Sequence, residues 1–263
     1  MIVKYFSYRF AAEILQHPKY SMIFSELMRV CTECPLPLYE GKSRTQAGKD
    51  IVQQVMNSFF KHRFVSLGWE AEPLATPNDN EDALRSDFRK TFCDATTGEI
   101  TATIQIEVEF GNVASSYRNY FKFQLSFSYG LTDICVLIVP SQHLSVRIDS
   151  GVSNFEKTLR EIPSAKLSIT VPTLVIGLFD EDENGRVVPW DVKAITTNLD
   201  VLKGDKLADR PQHSQIIQTY VNQVSTIPVI NQYDPLGGNA LPQMNVFNAR
   251  PDQNLMFPEF FNQ

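Results

Sequence analysis

At 263 residues, 43% of them hydrophobic and 21% charged, the chain is long enough for one large domain with a substantial core, and its composition excludes wholesale disorder. No apolar run reaches the length of a membrane span, and Lys4, Arg9 and Glu13 break up the first fifteen residues, which excludes a secretory leader and predicts a cytoplasmic protein. The net charge of −6 argues mildly against a nucleic-acid partner, yet residues 41–63 carry Lys42, Arg44, Lys49, Lys61 and Arg63 against Asp50 alone, so the global balance does not fix the local surface.

Residues 9–17 and 20–32 have the periodicity of two amphipathic helices divided by "HPKY". The second ends in "CTEC", the spacing of half a zinc site or a redox pair. No second such pair supplies further zinc ligands, and a redox pair would open a helix after a strand instead of closing one. Cys31, Cys34, Cys93 and Cys135 therefore read as reduced, partly buried thiols. After "CPLPLYEG", the apolar residues Ile51, Val52, Val55, Met56, Phe59 and Phe60 predict one long helix over 44–62. "FVSLGW" reads as a strand entering a glycine turn, and "EPLATPNDNED" as a loop.

Two strands follow, "ALRSDFRKTF" and "ITATIQIEVEF", joined by the turn-rich "CDATTGE" as a hairpin. With the hairpin centred near Thr97, Asp87 falls opposite Glu107; a slip of one residue would send it to the other face. "NVASSYRNYFKFQLSFSYG" then predicts a helix, "DICVLIVP" a buried strand, 152–162 a helix stopped by Pro163, and "LSITVPTLVIGLF" another strand before the acidic loop "DEDENG". This alternation predicts an α/β fold with a mixed sheet covered on both sides. From about Lys206 the composition shifts to Asn, Gln and Pro with scattered Phe. The chain thus divides into a core over 1–204 and an extension over 205–263, either flexible or an arm laid over another surface.

The stretch "TIQIEVEFGN" concentrates the chemistry. Ile104, Ile106, Val108 and Phe110 share one strand face; Gln105, Glu107 and Glu109 share the other, with the two glutamates leaving the backbone ~6–7 Å apart. Alone, such a pair is the mark of a solvated face. With Asp87 brought opposite, three carboxylates converge, and Mg²⁺ relieves their repulsion, being held by one or two carboxylates, waters and phosphate oxygens. A cation so placed activates water and neutralises charge on a phosphodiester. His17, His62, His143 and His213 have no Ser, Cys or Asp partner at suggestive spacing, and "PLGGN" lacks the strand–helix setting of a phosphate loop.

Read with their neighbours, these segments resemble the type II restriction endonucleases of the BglII and BstYI kind, relatives of BamHI with the PD-(D/E)XK nuclease fold. The resemblance runs in order through "AAEILQHPKYSMIFSELMRV", "PLPL", "GWEAE", "SDF", "IEVEFGN", "NYFKFQL", "TDICVLIVPSQHL" and "PTLVIGLFDED", over roughly residues 8–185. It implies a three-layer α/β/α core around a central mixed sheet and Mg²⁺-dependent hydrolysis of double-stranded DNA at a short palindrome. It further implies a homodimer, and a cognate DNA methyltransferase in the same system.

The same resemblance implies Asp87 and Glu107 as metal ligands, with the backbone carbonyl of Val108 completing the set. Glu109 stands where most of the superfamily has lysine, a replacement this subfamily shares, and acts as general base or orients the attacking water. Glu72, with Glu70 as alternative, is the polar residue after the "GW" turn. For DNA, it implies Asn112 as a base contact, a helix cap, or both, and Ser115, Ser116 and Arg118 as contacts to phosphate or bases. In "SQHLSVRIDSGVSN", Arg147 suits guanine and Asp149 cytosine, or the two form a surface pair. Lys42, Arg44 and Lys49 are phosphate contacts or a solvated helix face. Two rival expectations are a DNA-binding or assembly protein that lost cleavage, and a repair nuclease of the same superfamily.

Overall fold

Which elements the apolar residues form, and the order in which the strands join, decide where the acidic hairpin comes to lie. The computed structural model describes residues 1–46, 48–78, 84–94, 96–165, 168–203 and 210–226. A strand that the sequence pattern did not announce, β1 (Ile2–Tyr8), opens the chain, with Val3 and Tyr5 buried on one side and Phe6 and Tyr8 on the other. Helices α1 (Ala11–Gln16) and α2 (Ser21–Glu33) follow close to expectation, and α2 buries Ile23, Phe24, Leu27, Met28, Val30 and Cys31. Cys31, Cys34 and Cys135 are free buried thiols, and Cys93 is free and exposed.

The long helix expected over 44–62 is shorter and starts later. After β2 (Pro37–Leu38) the chain turns at Glu40 and Gly41 and bends again at Arg44 and Thr45 before it straightens into Ile51. Ile51 bridges Leu38, and the Tyr39 amide donates to the Asp50 carbonyl at 2.8 Å, so Ile51 and Val52 reach the core as extended β-branched residues. Helix α3 (Gln53–Ser66) then runs through "FVS", which is its last turn and not a strand. Phe64 stacks on Phe60 one turn back at 5.8 Å, and Gly68, at φ +82°, follows in the left-handed conformation that closes helices. A two-residue strand, β3 (Glu70–Ala71), comes next.

The hairpin forms in the expected register. Strands β4 (Phe88–Cys93) and β5 (Ile100–Val108) pair Phe88 with Ile106 and Arg89 with Gln105, which sets Asp87 opposite Glu107. Asn112 caps α4 (Val113–Ser128), its side-chain oxygen accepting from the Ser115 amide at 3.2 Å. After β6 (Ile134–Pro140), the expected loop from Ser141 onward contains a helix, α5 (Gln142–Ile148). Ser141 caps it, and Leu144 and Ile148 anchor it in the core. Helix α6 (Phe155–Ser164) keeps Pro163 inside its last turn, and β7 (Thr173–Phe179) follows. The acidic loop is a small hairpin of β8 (Glu181–Asp182) and β9 (Gly185–Arg186). Strand β10 (Trp190–Asp191) pairs with β2 before α7 (Leu199–Lys203) and α8 (Arg210–Thr226).

Six strands make one mixed sheet in the order β1-β7-β6-β5-β4-β3, with β5, β6 and β7 parallel and the rest antiparallel. One face packs on α1, α2, α3 and α8; the other packs on α4 and α6. Strand β6 is apolar throughout because it is buried on both faces, with Val136 and Ile138 on one side and Cys135, Leu137 and Val139 on the other. Strand β5 departs from this rule. Ile104 and Ile106 enter the first core, while Gln105 and Glu107 face the α4 side, fully buried. The acidic face is therefore not solvated.

The extension foreseen over 205–263 lies mostly outside the described residues, but its described part packs firmly. In α8, Ile217 and Val221 join the first core, Tyr220 lies edge-on to Phe59 at 6.0 Å, and its hydroxyl donates to the Glu33 carbonyl at 3.1 Å. His213 contacts Ser58 and the Val201 carbonyl.

Close packing in the second core singles out Gly177 of β7. A Cβ there would lie 2.7 Å from the rings of both Phe155 and Phe179, which meet edge-to-face. Gly177→Ala is expected to destabilise the fold by ~1–3 kcal/mol through overpacking, read as a lower urea midpoint with an unchanged slope.

Candidate active site

The hairpin and α4 assemble the site between them. Asp87 is half-buried, and its Oδ2 accepts from the Val108 amide at 2.7 Å, which ties the carboxylate to the strand that carries the two glutamates. Glu109, 6% exposed, accepts from the Gly111 amide at 2.6 Å through Oε1 and from the Asn119 side chain at 2.8 Å through Oε2. Glu107, 1% exposed, pairs through Oε2 with the ammonium of Lys122, which also donates to the Arg85 carbonyl at 3.1 Å. Asn119 and Lys122 stand three residues apart on α4 and so share a helix face. Each serves one glutamate.

Burial controls the charge. It raises the Asp87 carboxyl above its usual range, against the Val108 amide and Lys122, which favour the anion. It pushes Glu107 up to about 8, reinforced by the negative charge of Asp87 and opposed by Lys122 and Ser86. Glu109 is raised for the same reason, with the Gly111 amide opposing. Burial thus disfavours the ionised forms by more than the donors of the site restore. One oxygen, Oε1 of Glu107, is buried without a hydrogen-bond partner among the described residues. A divalent cation suits that oxygen. The donor set of Asp87, Glu107 and the Val108 carbonyl is all oxygen, as a hard ion such as Mg²⁺ requires. Among the described residues no three His, Cys, Asp or Glu side chains form a ready cage, so such an ion would also draw on waters or a substrate phosphate.

The other expected residues divide by location. Glu72 takes a left-handed φ of +57°, donates its amide to the Asp87 carbonyl at 2.9 Å, and rests its exposed carboxylate on Lys61 at 2.9 Å. Its charge contributes to raising Asp87, whereas Glu70 lies 3.9 Å from Arg89 on the strand beside it. Asn112 and Arg118 are exposed at the start of α4, and the Arg118 charge favours the Asp87 anion. Ser115 is half-buried. Ser116 is fully buried, its hydroxyl without a partner among the described residues.

Arg147 and Asp149 do not pair with each other. The Arg147 guanidinium grips both oxygens of Asp50 at 3.0 and 2.9 Å and Asp180 at 2.7 Å, while Asp149 accepts from Lys49 at 2.5 Å. Lys42 folds back onto the carbonyls of Ile51 and Ile148. His143, for which spacing suggested no partner, meets Asp180 at 3.0 Å.

Sequence reasoning missed Gly111, Asn119 and Lys122. A signal existed for the last two. The buried side of α4 carries Ser116, Asn119, Lys122 and Ser126 among its aromatic residues, and a helix covering a wholly apolar sheet would not.

The family profile described as restriction endonuclease BglII/BglIII matches residues 3–178, a span that includes all three carboxylates and Lys122. Among solved structures, the chain is similar to restriction endonuclease BglII complexed with a DNA 16-mer, with a TM-score of 0.55 and 18% identity over 70% of this chain and 80% of that one. It is also similar to free BglII, at a TM-score of 0.47 and 14% identity over 70% and 82% of the two chains. No curated protein matches it by sequence.

The raised carboxylates make a pH prediction. Between the ordinary 4.5 of a glutamate and about 8, native Glu107 keeps a proton that the unfolded chain has released, so stability falls as pH rises through that window. The thermal midpoint in EDTA is expected to decline across it, to decline less in Glu107→Gln, and to recover on adding MgCl₂.

Proposed function

The chain belongs to the BglII/BglIII restriction endonuclease family and is a type II site-specific endonuclease, and from that premise we propose that it hydrolyses both strands of DNA at a short palindrome with Mg²⁺ as cofactor. The observation that supports the finer reading is that Asp87 and Glu109 are each tied to a backbone amide on either side of Glu107, whose Oε1 is buried without a hydrogen-bond partner among the described residues.

Asp87 and Glu107, with the Val108 carbonyl, would hold the cation. When bound, it neutralises charge on the scissile phosphate and acidifies a water. Glu109 would orient the attacking water or accept its proton, its carboxylate kept in place by Gly111 and Asn119. Glu72, on the strained turn beside Asp87, adds a polar group at the rim.

DNA binding falls to the start of α4, where the positive end of the helix dipole favours phosphate. Asn112, Ser115 and Arg118 are assigned to phosphates or base edges there, and Ser116 lies beneath them. Arg147 and Asp149 keep their assignment to base reading on the condition that DNA exchanges with their present partners, Asp50, Asp180 and Lys49. A palindrome calls for a two-fold protein, so we assign a homodimer in which each copy cuts one strand. No described helix is long and apolar enough to cross a membrane. The proposed setting is the cytoplasm, beside a cognate DNA methyltransferase that protects host sites.

Purified protein with Mg²⁺ and phage DNA is expected to give discrete fragments, lost in EDTA and in Asp87→Ala and Glu107→Ala. A smear, or cutting that survives both substitutions, rules the assignment out.

Gly111 gives a second test. A Cβ there would sit 2.7 Å from Oε1 of Glu109, and the flexible carboxylate would swing away. Gly111→Ala should slow cleavage by about two orders of magnitude, the scale of general-base catalysis, with a nearly unchanged thermal midpoint.

A further inference from the structure

We propose that Lys122 is a positioning residue for the metal site, its ammonium anchoring Oε2 of Glu107 so that Oε1 is presented to the cation. This rests on the nuclease reading above and extends it to a side chain outside the acidic hairpin.

Lys122 is 4% exposed in the middle of α4. A buried ammonium is costly unless paired and hydrogen-bonded, and this one has both a carboxylate and the Arg85 carbonyl. The two oxygens of Glu107 have unlike surroundings. Oε2 is taken by Lys122, and Oε1 is buried with no partner among the described residues. A carboxylate on a flexible side chain has several rotamers, and fixing one oxygen selects among them.

The positions flanking Lys122 show what α4 does. Asn119, one turn earlier, holds Glu109 in the same manner, so a single helix face orients both glutamates of the strand. Arg85, whose carbonyl takes the second hydrogen bond, lies two residues before Asp87. Lys122 thereby links the segment leading to one metal ligand with the side chain of the other. An opposing effect exists, since a fixed ammonium repels a divalent cation. The geometry gives the anchoring effect the greater weight, because without Lys122 no described side chain holds Oε2 of Glu107 and the group is free to turn away from the site.

The test compares metal binding with catalysis. Calorimetry with Ca²⁺ and a DNA duplex reports metal affinity, and Mg²⁺ titration of cleavage separates half-saturation from the rate at saturating metal. In Lys122→Met the Ca²⁺ dissociation constant and the Mg²⁺ half-saturation are expected to rise at least tenfold, with cleavage recovering to within a few-fold at high Mg²⁺. Lys122→Arg should restore most of the affinity.

A merely structural lysine would lower the thermal midpoint and leave metal affinity unchanged, and that result, or tighter binding, overturns the proposal. Should Lys122→Met fail to fold, Lys122→Gln keeps a hydrogen-bond donor without the charge, and the same direction of change is required of it. If wild-type protein binds no Ca²⁺, the nuclease reading fails. If it does and both neutral variants match it, only the role of Lys122 fails.

Discussion

Glu107 sits on a strand with neighbours on both edges and helices over both faces, so water cannot solvate its charge and the protein has to do so instead. An isolated ionised carboxylate cannot be kept in such a place. The answer is local: Lys122 takes one oxygen, and the other makes no hydrogen bond among the described residues. The arrangement around it follows. Asp87 is drawn to the Val108 amide because the antiparallel register places it opposite, and Glu109 is turned toward Gly111 and Asn119 at the strand's end.

Sheet topology then sets where this chemistry faces. With β5, β6 and β7 parallel, the groups that follow their final residues share one edge, at the carboxyl ends where open α/β sheets hold their ligands. Glu107 lies at the end of β5 and Glu109 just past it, with Asp87 at the entry to β4 opposite them; α5 lies past β6 and Asp180 past β7. The opposite edge has no comparable gathering in the contacts described above. A helix on each side supports that working edge, α3 under the apolar face of β5 and α4 over its acidic one.

Much of this was legible because it depends on short-range rules. The hairpin register came from the turn and the period of two, and it held to the residue; the caps at Asn112 and the apolar run of β6 were equally local. What failed depended on distant partners. Strand β1 is a strand because β7 pairs with it, and Ile51 and Val52 stay out of the helix because Leu38 bridges the one and the Pro37 carbonyl accepts from the amide of the other. Helix α5 was read as a loop because it is short and carries only two core anchors, Leu144 and Ile148. At the site, Asp87, Glu107 and Glu109 were found, since acids on one strand face are conspicuous. Lys122 was not, since a lysine on a helix is ordinarily solvated and only the strand beneath it makes it otherwise.

Arg147 has a wider effect than its few contacts suggest. By gripping Asp50 with one side of its guanidinium and Asp180 with another, it fastens the approach to α3, the helix α5 and the exit from β7 into a single unit. Segments that would otherwise be separate loops are thus ordered while the chain folds, and their freedom is already surrendered before any ligand arrives. A base that recruits Arg147 must then open this clasp as it binds, and that exchange is part of what association along the edge costs.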